Sequence, residues 1–190
     1  MKKSPDIFKL FIIMLGFTLS TGFIETAVAD KTSDEIKVPF GIRHYDVGIA
    51  PNFTLQDIDG ETFELDKARG NWIFLHFWAS WCGPCKEEMP TIQKMADAMQ
   101  QENFNIVMVN TAEDEDTVFE FLSTIDVEIN TLMDVDGQVT ETWKPRGLPT
   151  TFLINPKGEV KYQAIGGREW GEPLYVDFLK ELLLSTDKRR

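Results

Sequence analysis

The sequence predicts an α/β fold in which a mixed central sheet is covered by helices on both faces. Apolar runs of strand length alternate along the chain with segments whose apolar residues recur at helical spacing. Two further stretches have the strand–turn–strand pattern of a β-hairpin. Because strands that alternate with helices favour layered packing, these observations together predict the fold class.

The first half of the chain supplies a hairpin, a strand and a helix. "FTLQDIDGETFEL" (residues 53–65) alternates on both sides of Asp59 and Gly60, which predicts a hairpin. "NWIFLHFWAS" (residues 71–80) is mostly apolar, as is typical of a central strand buried on both faces. A helical pattern follows, and Pro84 suits its first turn, where the missing N–H is not needed.

The second half continues the alternation. "FNIVMVNT" (residues 104–111) predicts a buried strand, and "DEDTVFEFLSTI" (residues 114–125) predicts an amphipathic helix with acidic residues in its first turn. After a turn, "QVTETWK" (residues 138–144) is consistent with a short helix. "TTFLINPKGEVKYQAIG" (residues 150–166) predicts two strands around an Asn-Pro-Lys-Gly turn, and residues 167–185 close the chain with a helix.

The N-terminus has the pattern of a secretory signal peptide. "MKKSPDIFK" is basic, "LFIIMLGFTL" is apolar, and Ala27 and Ala29 precede the expected cleavage point. We therefore predict a signal peptide at residues 1–29, a linker or N-terminal extension at residues 30–48 and the folded domain at residues 49–190. The alternative is an uncleaved membrane anchor formed by residues 10–24.

The charge balance excludes one class of partner. The formal net charge is -12, and nucleic acid binding needs a basic face. We therefore expect no nucleic acid partner.

The chain contains two cysteines, Cys82 and Cys85, two residues apart. Structural zinc needs about four ligands, and neither His44 nor His76 is at zinc-ligand spacing from the pair. A disulfide that closes so short a loop adds little stability. The pattern therefore favours a redox-active pair over a metal site or a structural bridge. No cofactor is implied, because the cysteines carry the electrons themselves.

The pair falls at the junction between the predicted strand and helix. Cys82 is expected at the helix N-terminus, where backbone N–H groups and the helix dipole favour a thiolate. Cys85 is expected one turn further along, more buried and able to attack a mixed disulfide on Cys82. Cys82 is thus the predicted attacking thiol and Cys85 the predicted resolving thiol.

"FWASWCGPC" (residues 77–85), followed later by "GLPTTFLINPKG" (residues 147–158), resembles the thioredoxin superfamily. With the signal peptide, the leading hairpin and the extra strand–helix segment at residues 107–125, the resemblance narrows to exported thiol-disulfide oxidoreductases of the TlpA/ResA type. It covers about residues 49–183 and implies a thioredoxin-like fold. It also implies the nucleophilic and resolving roles of Cys82 and Cys85.

The resemblance implies further site residues. Pro149 matches the cis-proline that faces the active-site disulfide, which would leave the backbone at Leu148 free to pair with an extended substrate segment. Glu88 matches a glutamate that lies three residues after the second cysteine, close enough to exchange a proton with the pair. The alternative for Pro149 is an ordinary proline at a strand start, and for Glu88 a solvated helix charge.

Three other positions belong to the predicted site. His76 stands where ordinary thioredoxins have a buried aspartate, so it is either a packed core histidine or a second proton carrier. Trp81 is expected on the surface beside Cys82 as a contact for the substrate. Gly83 and Pro84, between the cysteines, resemble the reducing thioredoxins more than the strong oxidants.

These features predict an exported, periplasmic or otherwise extracytoplasmic, reductant of protein disulfides. Apocytochrome c is an expected target during cytochrome c maturation, and a membrane thiol-transporting protein is the expected electron donor. An oxidase or isomerase of the same fold is the first alternative. A peroxiredoxin-type thiol peroxidase would need a Thr where Ala79 stands, and a copper or haem chaperone would use the two cysteines as ligands.

Overall fold

The computed structural model describes residues 36–187, so the predicted signal peptide, with the alternative anchor at residues 10–24, lies outside the described residues. In chain order the elements are β1 (Ile42–Ile49), β2 (Thr54–Gln56), β3 (Thr62–Glu64), a 3-10 turn (Leu65–Ala68), β4 (Trp72–Trp78), α1 (Gly83–Met99), β5 (Phe104–Thr111), α2 (Glu115–Leu122), β6 (Thr131–Asp134), α3 (Gln138–Trp143), β7 (Thr150–Ile154), β8 (Glu159–Ile165) and α4 (Pro173–Asp187). None of these helices has the length and apolar character needed to cross a bilayer.

The main sheet has six strands in the order β1-β8-β7-β4-β5-β6. β5 runs parallel to β4 and β6, and the other neighbouring strands are antiparallel. β2 and β3 form the predicted hairpin beside this sheet, tied to β6 by a bridge between Asp57 and Leu132. The mixed sheet that the sequence predicts is confirmed.

Two apolar clusters cover the two faces of the sheet. All seven residues of β4 are buried, because its alternate side chains enter one cluster or the other. One cluster joins the sheet to the three longer helices through Trp78, Met89, Ile92, Val118, Phe121 and Leu179. The other joins it to the hairpin and to α3 through Phe53, Leu65, Phe77, Trp143 and Phe152. Helices therefore lie on both faces, as the sequence predicts.

Two strands differ from the sequence-based expectation. Residues 42–48 were expected in the linker or extension, but with Ile49 they form β1, so the sheet begins before residue 49. Most β1 side chains are exposed, and backbone pairing with β8 holds the strand, so it has no hydrophobic alternation to detect. Residues 131–134, for which no strand was predicted, form the short buried strand β6.

Candidate active site

The cysteine pair lies where β4 ends and α1 begins. Cys82 is the N-cap residue of α1, with extended backbone angles, and its Sγ accepts a hydrogen bond from the Cys85 N–H at 3.3 Å. The two sulfurs form a disulfide. Cys85 is fully buried, whereas Cys82 retains 5% exposure. A sulfur at a helix N-terminus is well placed to carry negative charge, because backbone N–H groups and the dipole favour it.

The residues around the pair divide into exposed and buried ones. The Trp81 side chain is 69% exposed beside Cys82, and Gly83 and Pro84 are also exposed. Trp78 is fully buried below the loop, where its indole N–H donates to Thr131 Oγ1 at 2.9 Å. Trp81 is therefore on the surface, as expected, while Trp78 supports the loop from within.

The start of β7 lies next to the end of β4. Thr150 pairs with Phe77 in the sheet register, which brings Leu148 and Pro149 to the end of the sheet that carries the cysteines. The Leu148–Pro149 peptide bond is cis, as the resemblance implies. The Pro149 carbonyl accepts from the Gly166 N–H at 2.8 Å. Pro149 is buried and Leu148 is half-buried, so part of the Leu148 side chain faces solvent.

Glu88 is one helical turn beyond Cys85 and is almost fully buried, at 2% exposure. Its Oε2 accepts from the Arg168 backbone N–H at 2.9 Å. Its Oε1 lies 3.0 Å from His76 Nε2, although the contact lacks hydrogen-bond alignment. A carboxylate this deep is costly unless partners offset the lost hydration. Glu88 is therefore not a solvated helix charge.

His76 projects from β4 and is 1% exposed. Its Nδ1 lies 2.9 Å from Thr151 Oγ1, and its ring stacks on Phe74 with centroids 5.7 Å apart. The imidazole thus contacts a hydroxyl through one nitrogen and the Glu88 carboxylate through the other. His76 is therefore packed in the core, as one sequence-based alternative expects, and it also faces the carboxylate predicted for the site. Its role as a second proton carrier stays a prediction.

The loop between β8 and α4 (residues 166–172, the β8–α4 loop) lies directly on α1. Thr91 Oγ1 accepts the Trp170 N–H at 3.0 Å and lies 2.7 Å from the Glu88 carbonyl oxygen. A Cβ added to Gly167 would lie 3.1 Å from the Pro84 carbonyl oxygen, which is closer than an ordinary contact, so this approach favours glycine. The sequence-based prediction placed residues 167–185 in a helix, but α4 begins at Pro173 and residues 167–172 belong to this loop. The three glycines of the loop are a signal of close backbone contact.

Arg168 fastens the β8–α4 loop. Its guanidinium donates to the Ile165 and Gly166 carbonyls, both at 3.0 Å, and lies over the Trp170 ring. Burial lowers the pKa of Arg168, and the charges of Tyr175 and Glu88 oppose that shift. Because the Arg168 main chain donates to Glu88, the loop fixes the buried carboxylate.

Comparisons with known proteins show the family and several relatives of this chain. A family model described as the AhpC/TSA family matches residues 48–163. The thiol-disulfide oxidoreductase ResA of Bacillus subtilis is 40% identical over 111 residues, which cover 58% of this chain and 62% of that protein. ResA of Bacillus cereus is 30% identical over 187 residues, which cover 96% of this chain and 99% of the relative. The crystal structure of StoA from Bacillus subtilis matches with a TM-score of 0.59 and 29% identity, over 70% of this chain and 97% of StoA.

Fold, site and relatives together define a thioredoxin-like protein that exchanges thiols and disulfides. The chain belongs to the AhpC/TSA family and is a thiol-disulfide oxidoreductase of the ResA type.

Proposed function

We propose that this protein is an exported reductant of protein disulfides, with Cys82 as the attacking thiol and Cys85 as the resolving thiol. The observation that carries the proposal is the buried Glu88 carboxylate, one turn beyond Cys85 and 3.0 Å from His76. A reductant must release its reduced target, and this release needs a deprotonated resolving thiol. A buried carboxylate beside a buried imidazole is suited to accept that proton.

In the first step, the Cys82 thiolate attacks one sulfur of the target disulfide. A new S–S bond joins Cys82 to the target, the target's own S–S bond breaks, and the second target sulfur leaves as a thiolate. The Cys85 N–H that donates to Cys82 Sγ favours the starting thiolate.

In the second step, the Cys85 thiol gives its proton to Glu88, and the resulting thiolate attacks Cys82 Sγ. The Cys82–Cys85 bond forms, the bond to the target breaks, and the first target sulfur leaves as a thiolate. Two electrons have then passed from the pair to the target. His76 offers a second position for the proton, because its Nε2 faces Glu88 Oε1.

Trp81 and Leu148 are the proposed contacts for the target. Trp81 exposes most of its ring beside Cys82, and an exposed aromatic side chain at a reactive site is a favourable anchor. Leu148 precedes β7 at the same end of the sheet, where an extended target segment would add main-chain hydrogen bonds. Gly83 and Pro84, which are exposed between the cysteines, border this surface.

The proposed location is outside the cytoplasm, and the support for it is the signal-peptide pattern of residues 1–29. We propose apocytochrome c as a target, since its haem-attachment motif Cys-x-x-Cys-His can form a disulfide of this kind. A membrane thiol-transporting protein is the proposed electron donor. Both partners follow from the resemblance to the exported TlpA/ResA-type enzymes.

A trapping experiment tests this proposal. In C85S, Cys82 can still attack but no resolving thiol remains, so reduced C85S should form a one-to-one covalent adduct with an oxidised Cys-x-x-Cys-His peptide. Mass spectrometry of the adduct gives its composition, and C82S is the matched control. Adduct formation on C82S at the same rate would contradict the assigned roles, and the absence of adduct on C85S would contradict the substrate class.

A further inference from the structure

We infer that Glu113 is a positioning residue for the Cys82–Cys85 pair, because it holds the loop that presents Cys82 to the target. The inference rests on the redox role of the pair and concerns a residue outside the site described above. Glu113 lies in the short connection between β5 and α2, far from the cysteines in sequence.

Both carboxylate oxygens of Glu113 accept hydrogen bonds from Ser80, which lies between the end of β4 and Cys82. Glu113 Oε2 accepts the Ser80 backbone N–H at 2.7 Å, and Oε1 accepts the Ser80 hydroxyl. Ser80 is two residues before Cys82, and only Trp81 stands between them. Hydrogen bonds to an ionised carboxylate are about twice as strong as neutral ones. The Glu113 carboxylate therefore holds the backbone segment that leads to Cys82 Sγ.

The Glu113 carboxylate is also held by β5. Glu113 Oε2 also accepts the Asn110 side-chain amide at 2.7 Å, and Asn110 is fully buried near the end of β5. Ala112, just before Glu113, has a positive φ of 55°, and its N–H donates to the Asp134 carbonyl at 3.0 Å. A left-handed backbone conformation is unfavourable for alanine, so the surrounding structure must hold it. This conformation turns the chain so that Glu113 faces Ser80.

The hydrogen bonds between Glu113 and Ser80 should favour the disulfide form of the Cys82–Cys85 pair. They are present while the two cysteines are joined, so they stabilise the loop geometry of the disulfide form. The fixed negative charge near Cys82 also disfavours a thiolate there. Both effects act in the same direction, so removal of the carboxylate should make the pair easier to reduce.

The test is the equilibrium constant for reduction of the pair by glutathione, measured in the full chain for E113A, E113Q and S80A. We expect E113A to raise this constant about tenfold, because the charge-assisted hydrogen bonds to Ser80 are lost. A tenfold change corresponds to about 30 mV in the reduction potential. E113Q and S80A each retain part of the contact, so an increase of about threefold is expected for each. Thermal unfolding of each variant checks that it is folded.

The matched control is E115Q, which removes an exposed carboxylate from the first turn of α2 without touching Ser80. E115Q should leave the constant within about twofold of the wild type. Equal shifts in E113Q and E115Q, or no shift in E113Q and S80A, would overturn the inference. A wild-type potential near that of strong oxidants would contradict the proposed function instead, and the ratio between variants and wild type would still be measurable.

Discussion

The Glu88 carboxylate and the His76 imidazole lie 3.0 Å apart, and each side chain is exposed by no more than 2%. One comes from α1 and the other from β4, the two elements whose junction carries the cysteines. The Arg168 N–H and the Thr151 hydroxyl complete the surroundings of the pair. A carboxylate and an imidazole in contact inside the core form a natural acceptor for the proton of a resolving thiol.

Replacement of Glu88 by glutamine should slow the second step of the reaction. The amide keeps the shape of the side chain but cannot accept the Cys85 proton, so resolution of the mixed disulfide should slow by about 100-fold. Stopped-flow measurement of mixed-disulfide decay checks this. The control is E87Q, because Glu87 is the preceding residue on the same helix and is exposed. Equal rates in E88Q and wild type would remove Glu88 from the mechanism.

Glu88 and His76 should act as one unit. If the proton is shared between them, the single variants E88Q and H76N should each slow resolution, and the double variant should be little slower than the worse single variant. Additive losses in the double variant would instead indicate a packing role for His76.

Trp81 should matter for protein targets and not for stability. W81A removes a side chain that is 69% exposed, so the free energy of unfolding should change by no more than about 0.5 kcal/mol. The kcat/KM for a protein disulfide should fall about tenfold, while reaction with oxidised glutathione should be nearly unchanged. F119A is the control, since Phe119 is a comparably exposed aromatic residue on α2. A parallel loss toward both substrates would contradict a docking role.

Asp57 should make stability depend on pH. Burial would raise the pKa of Asp57, but hydrogen bonds from the Glu61 N–H and the Asn130 amide outweigh it, so the pKa is lowered. The stabilisation is therefore complete above the unfolded pKa of about 3.9 and disappears as the pH falls through the folded value. Urea unfolding at several pH values should show wild type converging on D57N in acid. A constant difference between the two proteins across this range would contradict this account.

The sequence predicts the parts of this molecule that depend on local pattern. β4 and α1 carry unambiguous apolar patterns, so the sequence alone predicts their junction and the position of Cys82 at the N-terminus of α1. β1 could not be predicted from the sequence, because most of its side chains are exposed and backbone pairing with β8 holds the strand. The contact between His76 and Glu88 depends on how α1 packs on the sheet. The hydrogen bonds from Ser80 to Glu113 and from Arg168 to Glu88 join segments that are distant in sequence, and no local pattern indicates them.

The most direct test of the central claim is the equilibrium reduction potential of the Cys82–Cys85 pair in a thiol buffer. An exported reductant with Gly83 and Pro84 between its cysteines should have a potential near that of thioredoxin, about −270 mV. A value near about −120 mV, as in strong oxidants, would contradict the reductant and identify a protein that forms disulfides.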